Sequence, residues 1–255
     1  MLPVLFTIGP FNVYAFGFFL AFSFLLSTFI IWREAKEEFK EEEYLDAFLL
    51  TGIAGLVSAR ILYIFMHPGD FGLNILRYIV VRETPGLSLV GGLVGGFLFL
   101  FWYCRQKKYN FGHISDLFSL AASFSLVFTK IGEQLGGAGF GKATNFILGV
   151  RIIGQSGRHH PVELYEALLI LVLSIVLYYI YNRINRKKWP EGIVFLFFTI
   201  FIPVIIFLLE FLKDHPLYLY IFSAKQLGAF VIICIAAWSL FVKLKTSGKK
   251  NKLKS

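Results

Sequence analysis

Charged residues are scarce in this chain. Asp, Glu, Lys and Arg make up 16% of its 255 residues, against about 25% in soluble domains, which is too few to clothe a soluble surface. Cysteine is scarcer still. Cys104 and Cys234 stand alone inside apolar runs, so neither a disulfide framework nor a cysteine-bound metal cluster is available. Acidic residues number 16 against 25 basic ones, a net charge of +9. Such an excess often marks nucleic-acid binding. Here the basic residues sit in short clusters between apolar runs and in a lysine tail from Lys243 to Lys254. With no zinc-finger spacing, RNA-binding motif or helix-turn-helix pattern beside them, membrane topology accounts for them better, and no nucleic-acid partner is expected.

What is abundant is apolar. Hydrophobic residues make up 57% of the chain, including 30 Phe, which excludes disorder, coiled coils and solenoids and leaves an all-α polytopic membrane protein. About 20 apolar residues cross a bilayer as a helix. Seven segments satisfy this, near residues 12–32, 46–66, 86–104, 113–135, 162–181, 191–212 and 219–242. The first carries no basic residue ahead of its apolar run, so it is not a signal peptide. Sixteen of the 25 basic residues fall on one side of this arrangement: Arg33 to Lys40, Arg105 to Lys108, Arg183 to Lys188, and the tail. The positive-inside rule then places the N-terminus outside and the C-terminus in the cytoplasm. The expected organisation is one integral-membrane domain over 1–242, outer loops near 67–85 and 136–161, and a basic cytoplasmic tail over 243–255.

Ionisable residues within spans are candidates for function. Arg60 lies in the second span, where Gly52, Gly55 and Ala59 at helical spacing permit close approach of another helix. It either binds a phosphate or pairs with an acid such as Asp116 or Glu210. Lys130 and Glu133, three apart near the end of the fourth span, share a helix face and can pair. The run Gly136-Gly-Ala-Gly-Phe-Gly141 after them is either an anion-cradling turn or a flexible entry into the outer loop. In Arg158-His-His-Pro-Val-Glu-Leu-Tyr-Glu166, Pro161 suits the first turn of the fifth helix. His159 and His160 are either proton carriers or interfacial hydrogen-bonders. Glu210, Lys213 and Lys225 either snorkel or pair. Gly91, Gly92, Gly95 and Gly96 form two small-xxx-small pairs, the pattern of closely packed helices.

Taken together these segments resemble the prolipoprotein diacylglyceryl transferase family over nearly the whole chain. Tyr14-Ala15 stands where the family has Tyr-Gly. Ser58-Ala-Arg60-Ile-Leu-Tyr63 resembles Gly-Ala-Arg-x-Gly-Tyr, and Leu87 to Gly96 resembles a Ser-Phe-His-Gly-Gly segment with Val90 in place of His. The stretch Thr129 to Gly141 resembles Gly-Arg-x-Gly-Asn-Phe-x-Asn-x-Glu-x-x-Gly, with Lys130 for Arg, Glu133 and Gly136 for the two Asn, and Ala138 for Glu. His159 to Glu166 resembles Arg-His-Pro-Ser-Gln-Leu-Tyr-Glu, the most specific match. Glu210-Phe-Leu-Lys213 resembles Glu-Phe-Phe-Arg, with Ile206 in place of an Arg one turn earlier, and Gln226 also matches a family position.

The resemblance implies a bacterial inner-membrane enzyme that moves the diacylglyceryl group of phosphatidylglycerol to the thiol of the lipobox cysteine in a prolipoprotein signal peptide, with no cofactor. Lys130, Glu133 and His160 would be the catalytic residues. Tyr14, Arg60, Tyr63, Tyr165, Glu166 and Glu210 would bind substrate. The nucleophilic thiol belongs to the acceptor, so neither cysteine of this chain is required. The replacements at Val90, Ala138 and Ile206 leave an alternative: a lipid- or lipopeptide-binding membrane protein that has lost the reaction.

Overall fold

The computed structural model describes residues 2–38, 40–71, 78, 86–137, 141–152, 156–185, 189–213 and 221–252. Arg77, Arg82, Pro85, Ala138 and Arg186 to Lys188 lie outside the described residues. Seven helices carry the fold: α1 Ala15–Lys36, α2 Glu41–Met66, α3 Leu89–Lys107, α4 Phe111–Gly136, α5 Val162–Asn185, α6 Ile193–Leu209 and α7 Ala224–Lys252. All seven are long and apolar enough to cross a membrane, α6 together with the short 3-10 turn Glu210–Leu212 that continues it. Large apolar side chains such as Leu93, Leu98 and Trp102 on α3 and Ile235 and Trp238 on α7 are exposed, as a surface solvated by lipid requires.

The chain enters α1 through a hairpin. β1 (Val4–Ile8) pairs antiparallel with β2 (Phe11–Tyr14), and Gly9 turns the corner at φ +58°, a region glycine enters without steric cost. The first span therefore begins at Ala15 rather than near residue 12, because Asn12 to Tyr14 are spent on the strand. Pro161 likewise stands one residue before α5 rather than in its first turn, and its carbonyl accepts from the Leu164 and Tyr165 amides.

The helices sort into two compact units, Met1–Ile30 with Ser115–Ser255, and Ile31–Ile114. In the first, hydroxyl groups join α1 to α4. Ser27 and Ser125 share a 2.6 Å hydrogen bond, and Thr129 donates to Ser23 at 3.0 Å. A Cβ at Gly132 would fall 2.7 Å from that of Phe19, so glycine sets how closely the two helices approach. The buried Asp116 of α4 fixes where α6 starts: its carboxylate accepts from the Gly192 amide at 2.5 Å and the Phe195 amide at 2.8 Å. A carboxylate there satisfies amides left open by the first turn and suits the helix dipole. α6 packs on both α5 and α7.

In the second unit α2 packs on α3 through the small residues that the sequence singled out. A Cβ on Gly91 would lie 2.7 Å from Leu62 Cβ and 2.8 Å from the Ser58 carbonyl, and one on Gly95 would lie 2.1 Å from Ser58. Gly55 meets Gly92 across the same seam, whereas Gly52 has no neighbour within 4 Å of its would-be Cβ and takes no part. Ser88 begins α3, its hydroxyl accepting from the Gly91 amide at 3.2 Å.

Candidate active site

Within the first unit, three extended stretches meet at the ends of α4, α5 and α6. The Gly141 amide donates to the His160 carbonyl (3.0 Å) and the His160 amide to the Lys142 carbonyl (3.1 Å). On its other side the Lys142 amide donates to the Leu212 carbonyl (2.7 Å). Gly141 is bridged to Lys213 as an antiparallel pair, and Ala143 to His159. A side chain at Gly141 would collide with His160 Cβ and Val162 Cγ2, both 2.7 Å from its would-be Cβ. This narrow ladder holds Lys213 over the first turns of α5. His159 is buried with Nδ1 2.9 Å from the Gly141 carbonyl, which ties the ladder together.

Five charged side chains converge beneath the ladder. Lys130 Nζ lies 2.7 Å from Glu133 Oε2 and 2.8 Å from Glu166 Oε2. Lys213 Nζ lies 2.8 Å from Glu166 Oε1 and 3.1 Å from Glu163 Oε1. Glu163, Glu166 and Lys213 are buried, and Glu133 is the most accessible member, its side chain 27% exposed. Burial opposes the charge on Lys213. Glu166, with Glu163 behind it, overcomes that penalty by Coulombic attraction and hydrogen bonding and holds the Lys213 pKa above its ordinary value. Three carboxylates stand against two ammonium groups, so the cluster carries one net negative charge with both lysines engaged by two acids each.

The sequence-derived site residues divide accordingly. Lys130, Glu133 and Glu166 are joined by ion pairs. His160 and Tyr165 follow on the same segment, with His160 Nδ1 3.5 Å from the Tyr165 hydroxyl. Glu210 is buried and accepts from Ser223 Oγ at 3.2 Å, beside Gln226, whose amide nitrogen donates to the Phe207 carbonyl at 3.1 Å. Tyr14 ends β2 with an exposed side chain. Arg60 and Tyr63 belong to the second unit. There the Arg60 guanidinium is buried, donates to the carbonyls of Tyr78 (3.2 Å) and Gly86 (3.1 Å), and lies 5.0 Å from the Phe71 ring centroid. A Cβ on Gly86 would fall 2.0 Å from Tyr63 Cζ and 2.4 Å from Cε1 and Cε2, so glycine lets the chain pass against that ring. Lys213 and Glu163 were not among the expected site residues. Their partners lie 47 and 50 positions apart in sequence, a separation that no local pattern displays. Gln134 was also passed over. It is 3% exposed, and neither side-chain polar atom has a hydrogen-bond partner among the described residues.

The family model for prolipoprotein diacylglyceryl transferase matches residues 3–242. The chain belongs to this family. It is 27% identical to the phosphatidylglycerol–prolipoprotein diacylglyceryl transferase of Thermoanaerobacter sp. (strain X514), over 93% of this chain and 92% of that protein. It is 29% identical to the protein of that name from Geobacter sulfurreducens, over 83% and 82%, and 27% identical to that of Pasteurella multocida, over 98% and 95%. Of the positions where this member departs from the family pattern, Val90 has a largely exposed side chain on α3 and Ile206 is half-buried on α6. Glu133 and Glu163 stand where the pattern has Asn and Gln. Both have become ion-pair partners of lysines that replace arginines.

Proposed function

We propose that this chain transfers the diacylglyceryl group of phosphatidylglycerol to the lipobox cysteine of a prolipoprotein, at the outer face of a bacterial inner membrane. The observation that carries this reading is the buried network Glu133–Lys130–Glu166–Lys213–Glu163. It lies on three stretches that resemble the family pattern, 129–141, 159–166 and 210–213, in a chain matched over 3–242. The acceptor thiol loses its proton to Glu133, the accessible carboxylate, or to His160. The thiolate attacks the glycerol carbon, the S–C bond forms, the C–O bond to phosphate breaks, and glycerol-1-phosphate leaves. Lys130 neutralises the leaving phosphate, where low dielectric magnifies the attraction. Tyr14 and Tyr165 orient headgroup oxygens. Glu166 and Glu210 support the cations and their surroundings.

The test mixes purified protein, phosphatidylglycerol vesicles and a lipobox peptide, and reads the peptide's mass. A diacylglyceryl mass gain that disappears in Lys130→Ala supports the reading. A peptide that binds the protein and never gains mass favours a second reading, a lipopeptide-binding protein without the reaction. That reading is motivated by apolar Val90, Ala138 and Ile206 at three positions where the family pattern is ionisable.

A further inference from the structure

The connection between α4 and α5 builds a small sheet around one strand. β4 (Arg158–His159) pairs antiparallel with β3 (Val150–Arg151) along one edge. Along its other edge His159 is bridged to Ala143, and the Thr144 amide donates to the Arg158 carbonyl at 2.8 Å. Residues 145–149 carry the chain from one edge to the other as a tight turn. The Phe146 amide donates to Thr144 Oγ1 (3.1 Å), and the Gly149 amide donates to the Phe146 carbonyl (2.9 Å). A Cβ on Gly149 would sit 3.0 Å from Arg158 Cβ and 3.1 Å from Thr144 Cγ2, so the turn is pressed against the strand beside it. The Phe146 ring lies 6.3 Å from that of His160, which lies 6.1 Å from that of Tyr165.

This turn presents three consecutive apolar side chains outward. Phe146, Ile147 and Leu148 are 50%, 82% and 58% exposed, and they lie outside every span. Apolar side chains grouped in this way mark a surface that something else covers. The charge around them is of one sign. Lys142, Arg151 and Arg158 are exposed, and no Asp or Glu stands between Gly141 and Val162. None of the three cations enters an ion pair among the described residues. An apolar tip among cations complements the boundary between acyl chains and anionic headgroups. An apolar peptide would leave the cations unused, and an acidic soluble partner would leave the tip in water. The depth agrees with lipid. The connection leaves α4 at Gly136 and enters α5 at Val162, where two spans end, and Leu164 and Leu168 are exposed on the first turns of α5.

We propose that Phe146-Ile147-Leu148 is a wedge inserted into the outer leaflet of the membrane, with Lys142, Arg151 and Arg158 on the phosphates of anionic lipids. Through β4 and the ladder it holds His160 and Lys213 at headgroup level. The wedge goes beyond the transfer reading and stands whether or not the reaction occurs.

The test uses full-length protein in vesicles of phosphatidylcholine, alone or mixed equally with phosphatidylglycerol. An environment-sensitive fluorophore is attached at Ile147→Cys, with Cys104 and Cys234 replaced by Ser. A spin-labelled lipid quenches fluorophore in the bilayer, and iodide quenches fluorophore in water. The label at position 147 should be quenched by the lipid and shielded from iodide, more so with phosphatidylglycerol present. The same label at Ser156→Cys, on the same connection, should stay open to iodide, which separates the wedge from an effect of the label. With phosphatidylglycerol, Lys142→Gln, Arg151→Gln and Arg158→Gln should each lower the lipid-to-water ratio of the 147 label about fivefold. Their side chains are exposed, so the melting temperature should hold. Equal quenching at 147 and 156 overturns the wedge. A ratio indifferent both to phosphatidylglycerol and to the three variants overturns its anionic partner. A label at 147 shielded only after lipobox peptide is added makes this turn a peptide-docking surface and overturns the lipid assignment.

Discussion

Glu166 is the residue on which the site turns, because both lysines meet it from opposite sides. Glu166→Gln preserves its shape and removes its charge, leaving Lys130 with Glu133 and Lys213 with Glu163. Removing one partner of a buried pair costs about 3–5 kcal/mol, so the variant should melt well below the parent in the same detergent. Equal melting temperatures would mean that the network contributes nothing to folding. Lys213 adds a pH signature. Its folded-state pKa is raised, so its contribution is complete below the ordinary lysine value of about 10.4 and disappears as pH rises through the higher folded value. Melting temperature should therefore show no loss from this group below about pH 10, with a steeper alkaline fall in the parent than in Lys213→Met. Parallel curves would assign the alkaline arm to other groups. The pair Lys130–Glu133 was legible in the sequence because its spacing is helical. The rest of the network was not: Glu163 and Lys213 meet only after α6 packs back along α5 and the ladder of 141–144, 158–160 and 212–213 forms.

Element boundaries follow the same division between local and distant causes. Apolar runs located all seven helices, since lipid demands length and hydropathy of each span by itself. The hairpin ahead of α1 was missed because its apolar residues read as a continuation of the span, although Gly9-Pro10 is turn chemistry. The α2–α3 seam was legible in its glycines but not in which of them touch. Two substitutions separate the cases. Gly91→Ala forces a methyl toward Leu62 Cβ and the Ser58 carbonyl and should destabilise by about 1–3 kcal/mol, the usual cost of overpacking. Gly52→Ala meets nothing within 4 Å and should be neutral or stabilising by up to about 1 kcal/mol through helix propensity. Thermal unfolding of both variants decides, and the reverse order would contradict the packing of this seam. Asp116→Ala would leave the Gly192 and Phe195 amides without this acceptor. A loss of about 1–3 kcal/mol is expected, read as a lower melting temperature.

At the scale of the whole molecule, the reaction requires a particular orientation. A secreted prolipoprotein presents its lipobox cysteine at the outer face, so the ladder joining α4, α5 and the end of α6 must open there. Basic side chains occupy the last turns of α1, α3 and α5. All three ends fall on one side if the seven helices cross in alternation, and the positive-inside rule assigns that side to the cytoplasm. The same alternation sends the α4–α5 connection, with Gly157 at its φ +88° turn, to the outer side and the C-terminus to the inner. Two reporters test this directly. Fluorescent protein fused after Ser255 should fold and fluoresce, as it does in the cytoplasm. A cysteine introduced at Ser156 should react in intact cells with a membrane-impermeant maleimide, in a background where Cys104 and Cys234 are replaced by Ser. Labelling only after lysis would place the charge network on the cytoplasmic side. The acceptor thiol would then never meet it, and the transfer reaction would fail on topology whatever the chemistry of the site.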